Sequence, residues 1–267
     1  MYHYIKTFIE NKMGIIILND PQKKNALSQS MASELLEILK IYRFHPSVHI
    51  ILIRGADGCF CAGGDIHSMK KRIDCYAQNI SPETETKLNM ERLNQVILSI
   101  RQIEKPVISW IEGACAGGGM SLAMACDFSI SSEDTKMTFA FVNVGLAPDM
   151  GSSLMLPRRV GSVRATDLFM TGRLFTGREA ADLSIITQAV PAEKLEMTVM
   201  MQAKRLSVGP SCSYREIKAV INRILYADLF QCMSMETDCA DRLTHTFDHA
   251  EAVNAFLEKR KPKFIGK

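Results

Sequence analysis

Two glycine-rich turns and one aspartate hold the chemistry that this sequence can offer. The first turn is Phe60-Cys61-Ala62-Gly63-Gly64-Asp65-Ile66 and the second is Gly117-Gly118-Gly119. Each follows an apolar, β-branched run and precedes a segment with helical spacing. Glycine at such a junction lets the backbone approach a ligand closely and turn its N–H groups outward. Two such turns brought together would aim two amide donors at one oxygen, which is an oxyanion hole. Taken singly, each turn also reads as a tight strand-to-helix junction in which glycine serves packing. Asp149 lies in Ala147-Pro148-Asp149-Met150-Gly151, ahead of a helix expected near Gly151. Apolar neighbours raise a carboxyl toward the range of a general base. Asp149 also reads as the cap of a helix beginning at Ser152, a common use of aspartate. Both readings stand on the residues alone.

Other templates fail. Neither G-x-G-x-x-G nor G-x-x-x-x-G-K-S/T is present, so nucleotide readings lack their motif. Gly119-Met120-Ser121-Leu122-Ala123 falls one residue short of a nucleophile elbow, and His67 is the one histidine near the glycine turns. His245 and His249 stand four apart on an expected helix, but no Cys or carboxylate is arranged with them, so no metal site is expected.

The elements that must position these residues follow from the pattern. Residues 4–10 and Gly14–Asn19 read as a hairpin joined at Asn11-Lys12-Met13-Gly14. Ser28 or Ser30 caps a helix with Met31, Leu35, Ile38, Leu39 and Tyr42 on its apolar face, and Pro46 ends it. Val48–Ile53 and Pro106–Ile111 are buried strands. Residues 76–84 read as a mobile surface loop, and 85–104 as a long helix with Leu88, Leu93, Val96, Ile97, Ile100 and Ile103 inward. Phe128–Ile130 and Thr138–Phe141 read as short strands. Strands alternate with helices to about residue 190, and helices alone follow. That is an α/β core with a helical C-terminal piece.

The chain has 267 residues, 47% of them apolar, which excludes disorder. A net charge of +3 is too weak for a nucleic-acid partner. The basic run Lys259-Arg260-Lys261-Pro262-Lys263 reads as a solvated tail, or as a contact for an anionic ligand or a neighbouring subunit. The 8 cysteines contain no CxxC, and no apolar stretch is long enough for a signal peptide or membrane span. A reduced, cytoplasmic protein without membrane partners is expected.

Asn25-Ala26-Leu27, Ala62-Gly63-Gly64-Asp65-Ile66, Gly117-Gly118-Gly119, Gly145-Leu146-Ala147-Pro148-Asp149-Met150-Gly151 and the closing Ala255–Phe264 occur in one order over nearly the whole chain. Together they resemble the crotonase (enoyl-CoA hydratase/isomerase) superfamily. The resemblance implies a spiral of ββα repeats over residues 1–195. It also implies a helical region over 196–267 that covers the active site and builds a homotrimer or a dimer of trimers. It implies an acyl-CoA thioester as substrate, with no metal and no cofactor beyond the substrate's own coenzyme A. The N–H groups of Gly64 and Gly118 then hold the thioester oxygen, each donor being worth roughly 3 kcal/mol. Lys23, Lys24, Ala26, Ala62, Gly63, Asp65, Ile66 and Gly117 fall at positions that line the CoA and substrate site.

Departures from the pattern bear on the reaction. Hydratases of this family use two glutamates to activate water, and here those positions are Ser121 and Phe141, which line the site without an acid. Asp149 falls where double-bond isomerases of the family carry one carboxylate. The surrounding Val142–Asp149 is similar to the enoyl-CoA isomerase and 1,2-epoxyphenylacetyl-CoA isomerase branch. Isomerisation of an enoyl-CoA is therefore expected. A hydratase using another acid, such as Asp65 or Glu112, and a silent acyl-CoA-binding protein are the alternatives.

Overall fold

The computed structural model describes residues 2–81 and 86–267. Strands β1 (Ile5–Glu10) and β2 (Met13–Leu18) form the opening hairpin. Asn11 and Lys12 both take left-handed φ at its turn, a conformation open to Asn and typical of two-residue hairpin loops. Helix α1 (Gln29–Phe44) starts at Ser28, whose Oγ accepts from the Met31 N–H at 3.1 Å. All five expected apolar positions on it are buried.

Strand β3 (Ile50–Gly55), helix α2 (Ile66–Ala77), helix α3 (Thr86–Gln102), strands β4 (Val107–Ile111) and β5 (Ala114–Ala116) and helix α4 (Gly118–Ala125) follow. Then come β6 (Phe128–Ser132), β7 (Lys136–Thr138), α5 (Ser152–Val160), α6 (Ser162–Thr171), β8 (Phe175–Thr176), α7 (Gly177–Asp182) and β9 (Gln188–Val190). Helices α8 (Ala192–Ser207), α9 (Ser211–Leu225), α10 (Leu229–Thr244) and α11 (Phe247–Leu257) close the chain.

Six strands form one sheet in the order β1-β2-β3-β4-β6-β9, parallel from β2 onward, and β5-β7-β8 form a second. The chain climbs between them in turns. β4 lies in the large sheet, β5 in the small one, and α4 follows; β6, β7 and α5 repeat the step. Bridges Cys61↔Cys115 and Leu27↔Gly64 carry the small layer back into the two preceding turns, each again followed or preceded by a large-sheet strand and a helix. This is the spiral of the crotonase fold. Parallel strands bury both faces, which is why they read as continuous apolar runs. Ile51, Ile53, Val107 and Ile111 face α1 and α3, while Ile50, Leu52, Ile108 and Trp110 face α8 through Leu195, Val199 and Ala203. Helix α8 thus spans residue 195 and belongs to the cover of the large sheet.

Three local expectations change. The strand expected at Thr138–Phe141 lies at Lys136–Thr138, because Phe139 turns into an aromatic cluster with Phe169 and Phe175 and leaves the sheet. Tyr76 and Ala77, expected in a loop, are the last turn of α2, where Tyr76 packs on His245 at 4.3 Å; residues 82–84 of that loop, like Glu85 of the expected helix, lie outside the described residues. Leu88 of α3 is exposed and Met90 is buried in its stead. The basic tail folds back on α11: Arg260 pairs with Glu251 and Glu258, and Asp248 accepts from the N–H groups of Ile265 and Gly266. All eight cysteines are free.

Candidate active site

Cys61 N–H donates to Ala114 O at 3.1 Å and Ala116 N–H donates to Cys61 O at 3.0 Å, so the first glycine turn runs beside β5. This pairing lays residue 63 against residues 116–118. A Cβ on Gly63, whose φ is +93°, would stand 2.7 Å from Ala116 O and 3.5 Å from Gly118 N. Only glycine fits there. The two turns that the sequence leaves 50 residues apart thus meet at the start of α4. Gly118 is the first residue of that helix, and its N–H has no partner within the helix. Among the described residues, neither the Gly64 nor the Gly118 amide donates to a protein acceptor.

Gly117 takes φ +47° and anchors its N–H on Thr138 O at 3.0 Å. Phe141 is buried, its ring 3.8 Å from where a Cβ on Gly117 would lie. Ser121, one turn into α4, is fully buried and donates its Oγ to the Asp149 carbonyl at 3.1 Å. The position at which the resemblance leads one to expect an acid in a hydratase is thus a hydroxyl tied to the main chain of Asp149. Met150 completes the link, its Sδ standing 3.0 Å from where a Cβ on Gly118 would lie.

Asp149 is not the helix cap. The cap of α5 is Gly151, at φ +77°, with no side-chain bond from Asp149. The first-turn donors go instead to Glu236 of α10: Gly151 N–H to Oε2 at 2.7 Å, Ser153 N–H to Oε1 at 3.0 Å, and the Ser153 hydroxyl also to Oε1. Asp149 is left with a buried Oδ1 that has no hydrogen-bond partner among the described residues. Burial, and next the charge of Glu236, push its carboxyl up to about 8. Burial also raises Glu236, against the pull of its Ser153 and Gly151 donors. Sequence reasoning missed Glu236. Its signal is an acid at a buried position of α10 among Leu229, Met233 and Ala240.

The remaining candidates lie on the flank of the first turn. Asp65 caps α2, accepting from His67 N–H at 3.0 Å and Ser68 Oγ at 2.9 Å, and pairs with Lys23 at 2.8 Å. Burial alone would raise Asp65, but Lys23, Ser68 and His67 hold it below its ordinary value. Ile66 follows it, half-buried at the first position of α2. Lys24 takes left-handed φ, and its carbonyl accepts from Ala62 N–H at 3.0 Å; Ala26 is buried and donates to Lys23 O. Asn25 closes this loop, its Nδ2 donating to Ala56 O and Cys59 O and its Oδ1 accepting from Asp20 N–H. His249 is buried with Nδ1 2.7 Å from Val144 O, which steadies the segment leading to Asp149. Among the described residues no three His, Cys, Asp or Glu side chains converge as a metal site, and no helix is long and apolar enough to cross a membrane.

Comparison with known proteins gives a consistent result. The enoyl-CoA hydratase/isomerase family model matches residues 9–267. The trans-2-decenoyl-[acyl-carrier-protein] isomerase of Streptococcus mutans is 32% identical over 260 residues, 97% of each chain. The 1,2-epoxyphenylacetyl-CoA isomerase of Escherichia coli K12 is 31% identical over 268 residues, covering both chains in full. An enoyl-CoA hydratase structure from Mycobacterium avium subsp. paratuberculosis K-10 superposes with a TM-score of 0.88 over 99% of this chain and 100% of that one, at 24% identity, a likeness of fold.

Proposed function

This chain belongs to the enoyl-CoA hydratase/isomerase family, and from that premise we propose that it shifts a double bond in an enoyl-CoA thioester. The N–H groups of Gly64 and Gly118 hold the thioester oxygen. Asp149, ionised, removes a proton from the carbon next to the thioester or from its vinylogous position. The two amides stabilise the resulting dienolate, and Asp149 returns the proton to a different carbon. Carbon, hydrogen and charge balance over the cycle, so the reaction needs no cofactor beyond the coenzyme A of the substrate.

One observation carries this reading. Among the described residues a single carboxyl oxygen is buried without a partner, on a segment packed against the start of α4, while Ser121 and Phe141 stand at the two positions where the family resemblance places a hydratase's water-activating glutamates. A carboxyl raised to about 8 is suited to both halves of the shuttle, since it ionises near working pH and gives the proton back readily. Asp65 and Glu236, the other acids nearby, spend their oxygens on helix N-termini. Lys23 and Lys24, with Ala26, Ala62 and Ile66, would meet the CoA moiety.

The test is Asp149→Asn assayed on a 3-enoyl-CoA. A loss of about 10³-fold in kcat/KM is expected for removal of the sole acid–base group. Wild-type turnover would sink the assignment, and hydration of crotonyl-CoA surviving the substitution would favour a hydratase. On the same reading the chain forms a homotrimer or a dimer of trimers, supported by the exposed Ile217, Val220, Ile221 and Ile224 on α9. Light scattering should return three or six times 29.8 kDa, and a monomer would refute it.

A further inference from the structure

Glu236 is a buried carboxylate with no cation bonded to it among the described residues. Three donors from the first turn of α5 meet it, and both of its oxygens accept. That arrangement suits the ionised form, because a protonated carboxyl would turn an O–H toward an N–H. It also reaches from α10 onto Gly151, the second residue of the turn at Met150 and Gly151, whose φ values are +53° and +77°, and onto Ser153 just after it. A turn of that kind persists only where its surroundings hold it.

We propose that Glu236 is a positioning residue for proton transfer: its bonds to Gly151 and Ser153 fix the turn that aims Asp149, and they bring a second carboxyl onto a residue only two positions along the chain from Asp149. The inference rests on the isomerase reading and names what governs its acid–base group. The titratable groups around the pair are few. Cys232 lies one turn before Glu236 on α10, its Sγ 3.7 Å from Oε1, and Asp149 faces it from the loop before α5. On the neighbouring helix α3, Lys87 is engaged with Asp238 and Asp241 at the exposed edge. Among the described residues no cation is bonded to either carboxyl, so burial first, and the neighbouring Glu236 carboxyl next, make Asp149 ionise late.

The experiment compares pH profiles of kcat/KM on a 3-enoyl-CoA for the wild type, Glu236→Gln, Glu236→Asp and Asp149→Asn. Glu236→Gln removes the charge and one acceptor; its ascending limb should move to lower pH by about one unit. Glu236→Asp keeps the charge but is too short to reach both amides. Its limb should stay at the wild-type pH while kcat falls about tenfold, as misplacement of a reacting group implies. A purely structural role would lower activity in both variants without moving the limb in Glu236→Gln, and that result overturns the proposal. Should Glu236→Gln not fold, Glu236→Asp decides: wild-type kcat there would show that the three bonds do not position Asp149. Failure of the isomerase reading is seen separately, as full activity in Asp149→Asn.

Discussion

The two ends of helix α4 make opposite use of buried charge. At its C-terminal end every free carbonyl is met: Arg101 donates to Ala125 O, Arg159 to Met124 O, and Ser129 to Ala123 O. Just beyond, Asp127 accepts from Lys218 at 2.7 Å, from Val107 N–H at 2.9 Å and, at 3.4 Å, from Arg101. Lys218 and Arg101 are themselves buried, and Arg101 stacks over Tyr226. Cations at a helix C-terminus also suit its dipole. At the N-terminal end, among the described residues, two amides donate to no protein acceptor, and Asp149 is buried near another acid with no cation bonded to either. Burial therefore has two outcomes. A carboxylate supplied with cations joins helices, here tying α9 to α3 and β6. A carboxyl oxygen denied both cations and hydrogen-bond donors, as Asp149 Oδ1 is, raises its group toward about 8, a property that the proposed proton carrier needs and a structural ion pair does not.

The comparison is broken or sharpened by three substitutions, taken in order of their expected effect on turnover. Asp149→Asn should cost about 10³-fold in activity without unfolding the chain. Its stability should change with a definite sign. The folded-state carboxyl is raised from 3.8 to about 8, so the fold favours the protonated form, and this contribution is lost as pH rises through about 8. The amide cannot ionise. Its melting temperature should exceed that of the wild type by a margin that grows between about pH 4 and 8 and levels off above. A variant less stable than wild type at pH 9 would contradict the burial of Asp149 as an uncompensated acid.

Gly63→Ala should come next, with a loss of about 10²-fold, because its Cβ would stand 2.7 Å from Ala116 O and must push the two turns apart. Unchanged kcat would show that their spacing does not matter to the reaction. Asp127→Asn should do least to turnover. It leaves Lys218 and Arg101 buried without their anion, at a cost of about 3–5 kcal/mol in stability. Urea denaturation reads the loss, and kcat measured well below the midpoint should match the wild type. A fall in kcat comparable with that of Asp149→Asn would abolish the distinction between the two ends of α4.

Much of the frame was legible because local rules agree with the final fold. Ser28 caps α1, the five apolar positions of that helix are buried, and the hairpin turn falls at Asn11-Lys12. The glycine turns were legible for the same reason, since only glycine tolerates φ +93° hard against a carbonyl. Errors arose where distant packing overrules local preference. Phe139 leaves a β-like run to join Phe169 and Phe175, and Tyr76 extends α2 to stack on His245. The cap reading of Asp149, one of the two that the residues alone left open, is the instructive case. Aspartate before a helix is a sound reason to expect a cap, yet Glu236, 85 residues away in the chain, occupies those donors.

The amino-acid order alone thus fixed which backbone positions can lie open to a ligand and which acid sits among apolar neighbours, because glycine conformation and hydropathy are properties of short segments. Whether the two turns converge, and whether Asp149 is spent on a helix or left unpaired, was decided only in three dimensions. Hydrogen bonds and Coulomb forces act between whatever groups the fold brings within a few ångströms, and the sequence does not state that distance.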